Sequence, residues 1–147
     1  MIADDSKPKA MVQRMGAYGI CTNPSGAILL SRYAPPDGRW VLPGGGVEHG
    51  EHPEATVVRE VFEETGYHVG VVRLLAVESG TWTTSDLVSI HSVNFLYIVE
   101  VTGGELTFEV DGSSDQAAWI AMSDLAALPH TPIVDHAMTR LGHQAQN

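Results

Sequence analysis

Residues 45–67 read GGVEHGEHPEATVVREVFEETGY. Glycines bound the stretch, and Glu51, Arg59, Glu60, Glu63 and Glu64 stand between them. From Pro53 to Thr65 the pattern predicts a helix. Proline suits the first helical position, where its missing N–H would be unpaired anyway. Glu54 puts negative charge near the positive end of the helix dipole. Gly66 suits the left-handed residue that closes a helix. At about 100° per residue, Ala55, Val57, Val58, Val61 and Phe62 are expected on one broad apolar face. Glu60, Glu63 and Glu64 fall within an arc of roughly 100° on the other side.

Like charges at that spacing destabilise an isolated helix. A hard divalent cation such as Mg²⁺ would offset the repulsion, because it prefers carboxylate oxygens and completes its shell with water and substrate phosphates. Clustered glutamates taken alone more often mean a solvated acidic face. The glycines alter that balance. Pro43-Gly44-Gly45-Gly46 leads directly into the stretch and allows a tight turn and close backbone approach to a ligand.

The whole spacing resembles the box of the Nudix hydrolases: Gly, five residues, Glu, seven residues, Arg-Glu, an apolar residue, any residue, Glu-Glu, any residue, Gly. Gly45, Glu51, Arg59, Glu60, Val61, Glu63, Glu64 and Gly66 fill the fixed positions. Tyr67 is aromatic where an aliphatic residue is commoner. The resemblance implies an α/β Nudix fold, an α/β/α sandwich with a mixed central sheet. It also implies hydrolysis of a phosphoanhydride bond in a nucleoside diphosphate derivative, by water attack on phosphorus with Mg²⁺ or Mn²⁺ as cofactor. On the same basis Glu63 and Glu64 are expected as metal ligands, and Glu60 as a ligand or the general base. The Gly44 carbonyl is a further ligand, and Arg59 an orienter paired with Glu51. A late acidic ligand is implied as well: Asp115 is selected, with Asp111 and Glu109 as alternatives. Arg32 is a candidate phosphate ligand and Trp82 a candidate stacking partner for a base. The signatures of the coenzyme A, ADP-ribose and diadenosine polyphosphate subgroups are not visible.

The rest of the chain frames this stretch. Its 147 residues, 44% hydrophobic, suit one domain spanning 1–147 with a full core, and residues 1–9 read as a loose tail. No apolar run approaches the ~20 residues needed to cross a bilayer, and the N-terminus has no apolar signal core. A cytoplasmic protein without a membrane partner is expected, and the lone Cys21 agrees with a reducing compartment. A net charge of −10 argues against broad binding to a nucleic-acid backbone. It leaves small nucleotide substrates open, because a metal supplies positive charge locally. A homodimer also remains open.

Strands are expected at 11–21, 27–33, 40–42, 69–77, 87–101 and 117–121. Val47-Glu48 is expected to pair locally. Residues 78–86 read as a mobile loop and 111–115 as a second loop. Ser123 is read as the cap of a short helix, and Thr131-Pro132 as the start of a helix ending near Leu141. Two other functions share the resemblance. A non-catalytic sensing or protein-binding module would have lost box glutamates, and none is lost here. An isoprenoid diphosphate isomerase would need a catalytic cysteine, and the context of Cys21 does not match.

Overall fold

The computed structural model of the chain describes residues 7–145. The expected tail at 1–9 therefore lies largely outside the described residues. The strands are β1 (Ala10–Ile20), β2 (Ile28–Tyr33), β3 (Trp40–Val41), β4 (Gly44–Gly46), β5 (Tyr67–Thr83), β6 (Val88–Gly104) and β7 (Ser114–Ile120). Helix α1 spans Pro53–Thr65 between β4 and β5. A 3₁₀ turn, Met122–Ala127, precedes helix α2 (Pro132–Ala145).

Two sheets result. The larger is mixed, in the order β4-β1-β6-β5, with β1 parallel to β6 and antiparallel to β4. The smaller, β3-β2-β7, is antiparallel throughout. Strand side chains alternate between faces, so β1 feeds two cores. Tyr18 and Ile20 pack with Leu30, Leu96, Val134 and Ala137 on the α2 side. Ala17 and Cys21 pack with Leu29, Val57, Val61 and Val99 on the α1 side. The sheets thus lie between two helices, as expected for an α/β/α sandwich.

Helix α1 has the predicted bounds. The His52 ring nitrogen caps it by accepting from the Glu54 N–H at 3.0 Å. Gly66 closes it with φ 78°, its N–H donating to the Phe62 carbonyl. The helix is rotated from the simple wheel expectation. Thr56, Val57, Val61, Glu64 and Thr65 are buried, whereas Ala55 is exposed and Val58 and Phe62 are 37% and 46% exposed. The buried threonines can turn inward because Thr56 donates to Glu51 and Thr65 to the Val61 carbonyl. Phe62 instead stacks on the His68 ring at 4.5 Å. The packed face and the carboxylate face therefore overlap at Glu64.

Several loop expectations are corrected. Residues 78–83 continue β5, paired through Thr83↔Ser89, and only a tight turn at 84–87 separates β5 from β6. Polar composition misleads there because both strands run past the core, where their faces meet water. The glycines 44–46 themselves form β4, and Val47 adds only an N–H bond to the Met15 carbonyl. Ser123 caps nothing: Ala121 holds the cap position, without a side-chain bond. Helix α2 runs through Gly142 to Ala145.

A further contact ties α2 to the 3₁₀ turn. Both nitrogens of His130 face acceptors, Leu128 O at 2.7 Å and Asp135 Oδ1 at 2.8 Å. Only the imidazolium can donate to both. Asp135, and then the Leu128 carbonyl, hold the His130 pKa above its ordinary 6.5. A raised histidine stabilises the fold fully below about 6.5 and loses that contribution as pH rises through the folded value. The melting temperature of His130→Gln should therefore trail that of the unmodified protein more at pH 5.5 than at pH 8.5. An equal gap at both pH values would overturn this assignment.

Candidate active site

Of the box glutamates, Glu64 stands at the seam between the two sheets. Glu64 is 5% exposed and reaches across from α1. It accepts from the Gly44 N–H at 3.0 Å and from the Ser31 hydroxyl at 3.3 Å. Glu64 thereby links α1 to β4 and to β2. Burial, opposed by the Gly44 bond and reinforced by Glu60 and Glu109, pushes its pKa up to about 9. Gly45 lies directly under Glu60: an added Cβ there would stand 2.8 Å from the Glu60 carboxylate.

Arg59 gathers the other acids. Its Nε and Nη2 donate to both oxygens of Glu51, each at 2.9 Å, in a bidentate pair. Nη1 donates to Glu60 at 2.9 Å and to Glu63 at 3.4 Å. Arg59, with the Thr56 hydroxyl at 2.6 Å, holds the Glu51 carboxyl down at about 2. Glu51 is thus held as an anion paired with Arg59. Burial raises the Glu60 pKa while Arg59 opposes it.

The other expected site residues fare differently. Arg32 and Asp115, predicted for separate tasks, are partners of each other. Nε and Nη2 of Arg32 donate to the two Asp115 oxygens, both at 2.9 Å. The guanidinium also lies 5.8 Å from the centre of the Trp40 ring. Arg32 and Asp115 form a clamp between β2 and β7. The late acid that acts on the box electrostatically is Glu109, which raises both Glu60 and Glu64. Its carboxylate accepts from the Ser114 N–H and hydroxyl. Trp82 lies on β5, 55% exposed, beside a cavity on the α2 face of the mixed sheet.

Sequence reasoning missed Arg14. It lines the same cavity, donates to the Tyr18 hydroxyl at 3.4 Å and feels the charge of Glu60. The signal was its parity: Arg14 shares the inward phase of Tyr18 and Ile20, where a charged residue is unexpected. Tyr33 completes this corner. Burial, with Tyr18 and Glu64 close by, pushes its hydroxyl up to about 12, which keeps it neutral.

Among the described residues, no three acidic or histidine side chains already converge as a finished metal cage. Glu60 and Glu63 turn to Arg59 and Glu64 to Gly44. The donor set is nevertheless all oxygen, which suits hard cations. A carboxyl buried as deeply as Glu64 is one whose ionised form a cation would stabilise.

Two sheets between helices, with this helix carrying an arginine-tied acid cluster against a glycine strand, define a Nudix domain. Residues 12–141 match the sequence profile of the NUDIX domain, and the chain belongs to the Nudix family. An ADP-ribose pyrophosphatase of Methanocaldococcus jannaschii is 37% identical over 112 residues, 76% of this chain and 62% of that protein. An 8-oxo-dGDP phosphatase of Homo sapiens is 35% identical over 108 residues, 71% of this chain but 29% of that protein. The chain thus spans less than two thirds of the length of these curated relatives. The crystal structure of a MutT NUDIX hydrolase from Burkholderia pseudomallei superposes with TM-score 0.75 at 28% identity, covering 88% of this chain and 98% of that one. A NUDIX hydrolase from Nitrosomonas europaea also reaches TM-score 0.75, at 21% identity over 90% of each chain, and shares the fold.

Proposed function

We propose that this chain hydrolyses a phosphoanhydride bond in a nucleoside diphosphate derivative, NDP-X to NMP plus phospho-X, with a divalent cation. The observation that carries this reading is Glu64, a buried carboxyl held by the Gly44 N–H beside Glu60. Such an arrangement suits cation binding far better than a solvated surface.

Glu60, Glu63, Glu64 and the Gly44 carbonyl are the groups that would hold Mg²⁺ or Mn²⁺. Glu109 joins them in place of Asp115, which Arg32 occupies. When bound, the cation screens the diphosphate, stabilises charge in the transition state and acidifies water. The chain's own residues do the rest. Glu51 fixes Arg59, and Arg59 in turn holds Glu60 and the more exposed Glu63 on one side of the helix. Glu51 is held ionised too firmly to accept the proton of the attacking water, which leaves that task to the acids of α1, Glu60 first. Arg14, next to Glu60 on the cavity side, neutralises substrate phosphate. The overall step forms a bond from water oxygen to phosphorus and breaks the bridging P–O bond.

The experiment is a substrate panel with Mg²⁺ or Mn²⁺: nucleoside triphosphates, oxidised ones included, ADP-ribose, nucleotide sugars and dinucleoside polyphosphates. Turnover of at least one, abolished by chelation, is expected. No turnover of any would reject the hydrolase and favour a nucleotide-binding module on the same fold.

A further inference from the structure

The cavity on the α2 face of the mixed sheet has a volume of about 460 Å³, within the ~300–1,000 Å³ range of small-molecule sites. It opens between β5, β6 and the start of α2. Of its lining residues, Tyr18 pairs with Gly44 and Arg14 feels the charge of Glu60, and Trp82 belongs to the wall on β5.

Two buried side-chain oxygens among the described residues have no hydrogen-bond partner, Asn94 Oδ1 and Thr131 Oγ1. Both residues line this cavity. Asn94 comes from the sheet, in register with Gly16 of β1 and Glu78 of β5. Thr131 comes from the opposite wall, directly before α2. A threonine there ordinarily caps the helix with its hydroxyl. Here the backbone of Thr131 is paired, its carbonyl accepting from the Val134 N–H at 3.1 Å and its N–H donating to the Trp40 carbonyl at 2.9 Å, while the hydroxyl is not. Unpaired buried oxygens are rare and costly, so two in the wall of one cavity call for a shared cause.

Gly16 supplies a third observation. A Cβ added there would stand 2.7 Å from Asn94 Oδ1, 2.8 Å from Tyr18 Cε2 and 3.2 Å from Arg14 Nη1. A methyl at this position would displace one or more of the three side chains that converge over Gly16.

We propose that Asn94 and Thr131 are specificity-determining residues, which accept hydrogen bonds from the exocyclic amino group of a purine base that stacks on Trp82. The assignment rests on the nucleotide reading above. The free atom of Asn94 is an acceptor, so its partner must bring an N–H or O–H. An amino group brings two N–H donors, one for each side-chain oxygen. Both oxygens are buried in the wall, so the proposed contact requires each side chain to turn about its Cα–Cβ bond toward the cavity. The exposed face of Trp82 offers stacking area. The phosphates of such a nucleotide run past Arg14 toward Glu60.

The test is binding, by calorimetric titration with and without Mg²⁺, of two pairs of monophosphates that differ only in the amino group. These are AMP against purine riboside 5′-monophosphate, and GMP against IMP. In one pair the amino-bearing member should bind about tenfold tighter or more. Asn94→Leu should erase that preference, whereas Asn94→Asp, which keeps an acceptor, should retain it. Thr131→Val should weaken the amino-bearing member. It should also raise the melting temperature of the free protein by about 2–4 °C, because it removes an unpaired buried hydroxyl. Equal binding within both pairs, no binding of any of the four, or a preference that survives Asn94→Leu would overturn the proposal. Monophosphates are not hydrolysed, so the outcome is independent of turnover. A protein that discriminates but hydrolyses nothing refutes only the hydrolase. A protein that hydrolyses without discriminating refutes only this inference.

Discussion

Glu64→Gln should lose activity by about a hundredfold or more while the metal-free protein becomes more stable at neutral pH. The activity loss follows from removing the one box acid that is both buried and fixed by a backbone N–H. Glu63→Gln should lose activity in the same direction. The stability gain follows from linkage. The Glu64 carboxyl has an ordinary pKa of 4.5 and is raised to about 9 in the fold. A raised carboxyl destabilises the native state as pH climbs between those values, and costs nothing below the lower one. At pH 7 the cost is on the order of 3 kcal/mol. Glutamine keeps the acceptor for Gly44 and Ser31 but carries no charge to bury. Thermal denaturation without metal should place the variant above the unmodified protein at pH 8, and near it at pH 4. Adding Mg²⁺ should stabilise the unmodified protein more than the variant. Near-normal kcat/KM in both Glu63→Gln and Glu64→Gln would remove these residues from the metal site.

Gly44→Ala should be the most destabilising single-methyl addition in the site. The residue has φ 155°, and its Cβ would stand 2.2 Å from the Ala17 carbonyl oxygen and 2.6 Å from Tyr18 Cα. Both neighbours are backbone of β1 and cannot swing aside. The methyl must push β4 off β1 at the Tyr18↔Gly44 pair. That displacement also takes the Gly44 N–H away from Glu64. A loss of about 3–5 kcal/mol is expected, read as a reduced denaturation midpoint with unchanged slope. Gly46→Ala is the control. Its Cβ would meet nothing closer than Arg14 Nη2 at 3.8 Å, so the cost should stay below about 1 kcal/mol. Equal losses in the two variants would show that close strand approach at Gly44 is not the constraint.

Helix α1 was legible because its signals are local. Proline at the start, glycine at the end and the acid spacing all act within a few turns of chain. The identity of the packed face was not legible. A helical wheel sorts residues by polarity, so it placed Val58 and Phe62 inward and Glu64 outward. In the fold Glu64 goes inward because Gly44 and Ser31 supply donors there, from two strands distant in sequence. The same difficulty hid the far half of β5. Its polar residues 78–83 look like loop, but they pair with β6 along an arm whose faces are not covered by the core.

Arg32, Asp115 and Glu109 show the limit most sharply. Each is a plausible ligand when read alone. Asp115 and Arg32 are 83 positions apart in the chain, yet the β2–β7 register makes them one bidentate pair. Glu109 has no spacing signal of its own. It acts on Glu60 and Glu64 from a turn in which Ser114 donates to its carboxylate.

The bounds of α1 and its acid set were determined by the sequence alone, because glycine conformations and helical periodicity are properties of neighbouring residues, and the family and the sandwich fold followed from the resemblance that this spacing carries. Which acid is buried, which arginine stands by the box and which oxygens remain unpaired in the cavity were decided by the tertiary structure. Those outcomes depend on strand register and on distances between segments far apart in the chain, and no local pattern encodes them.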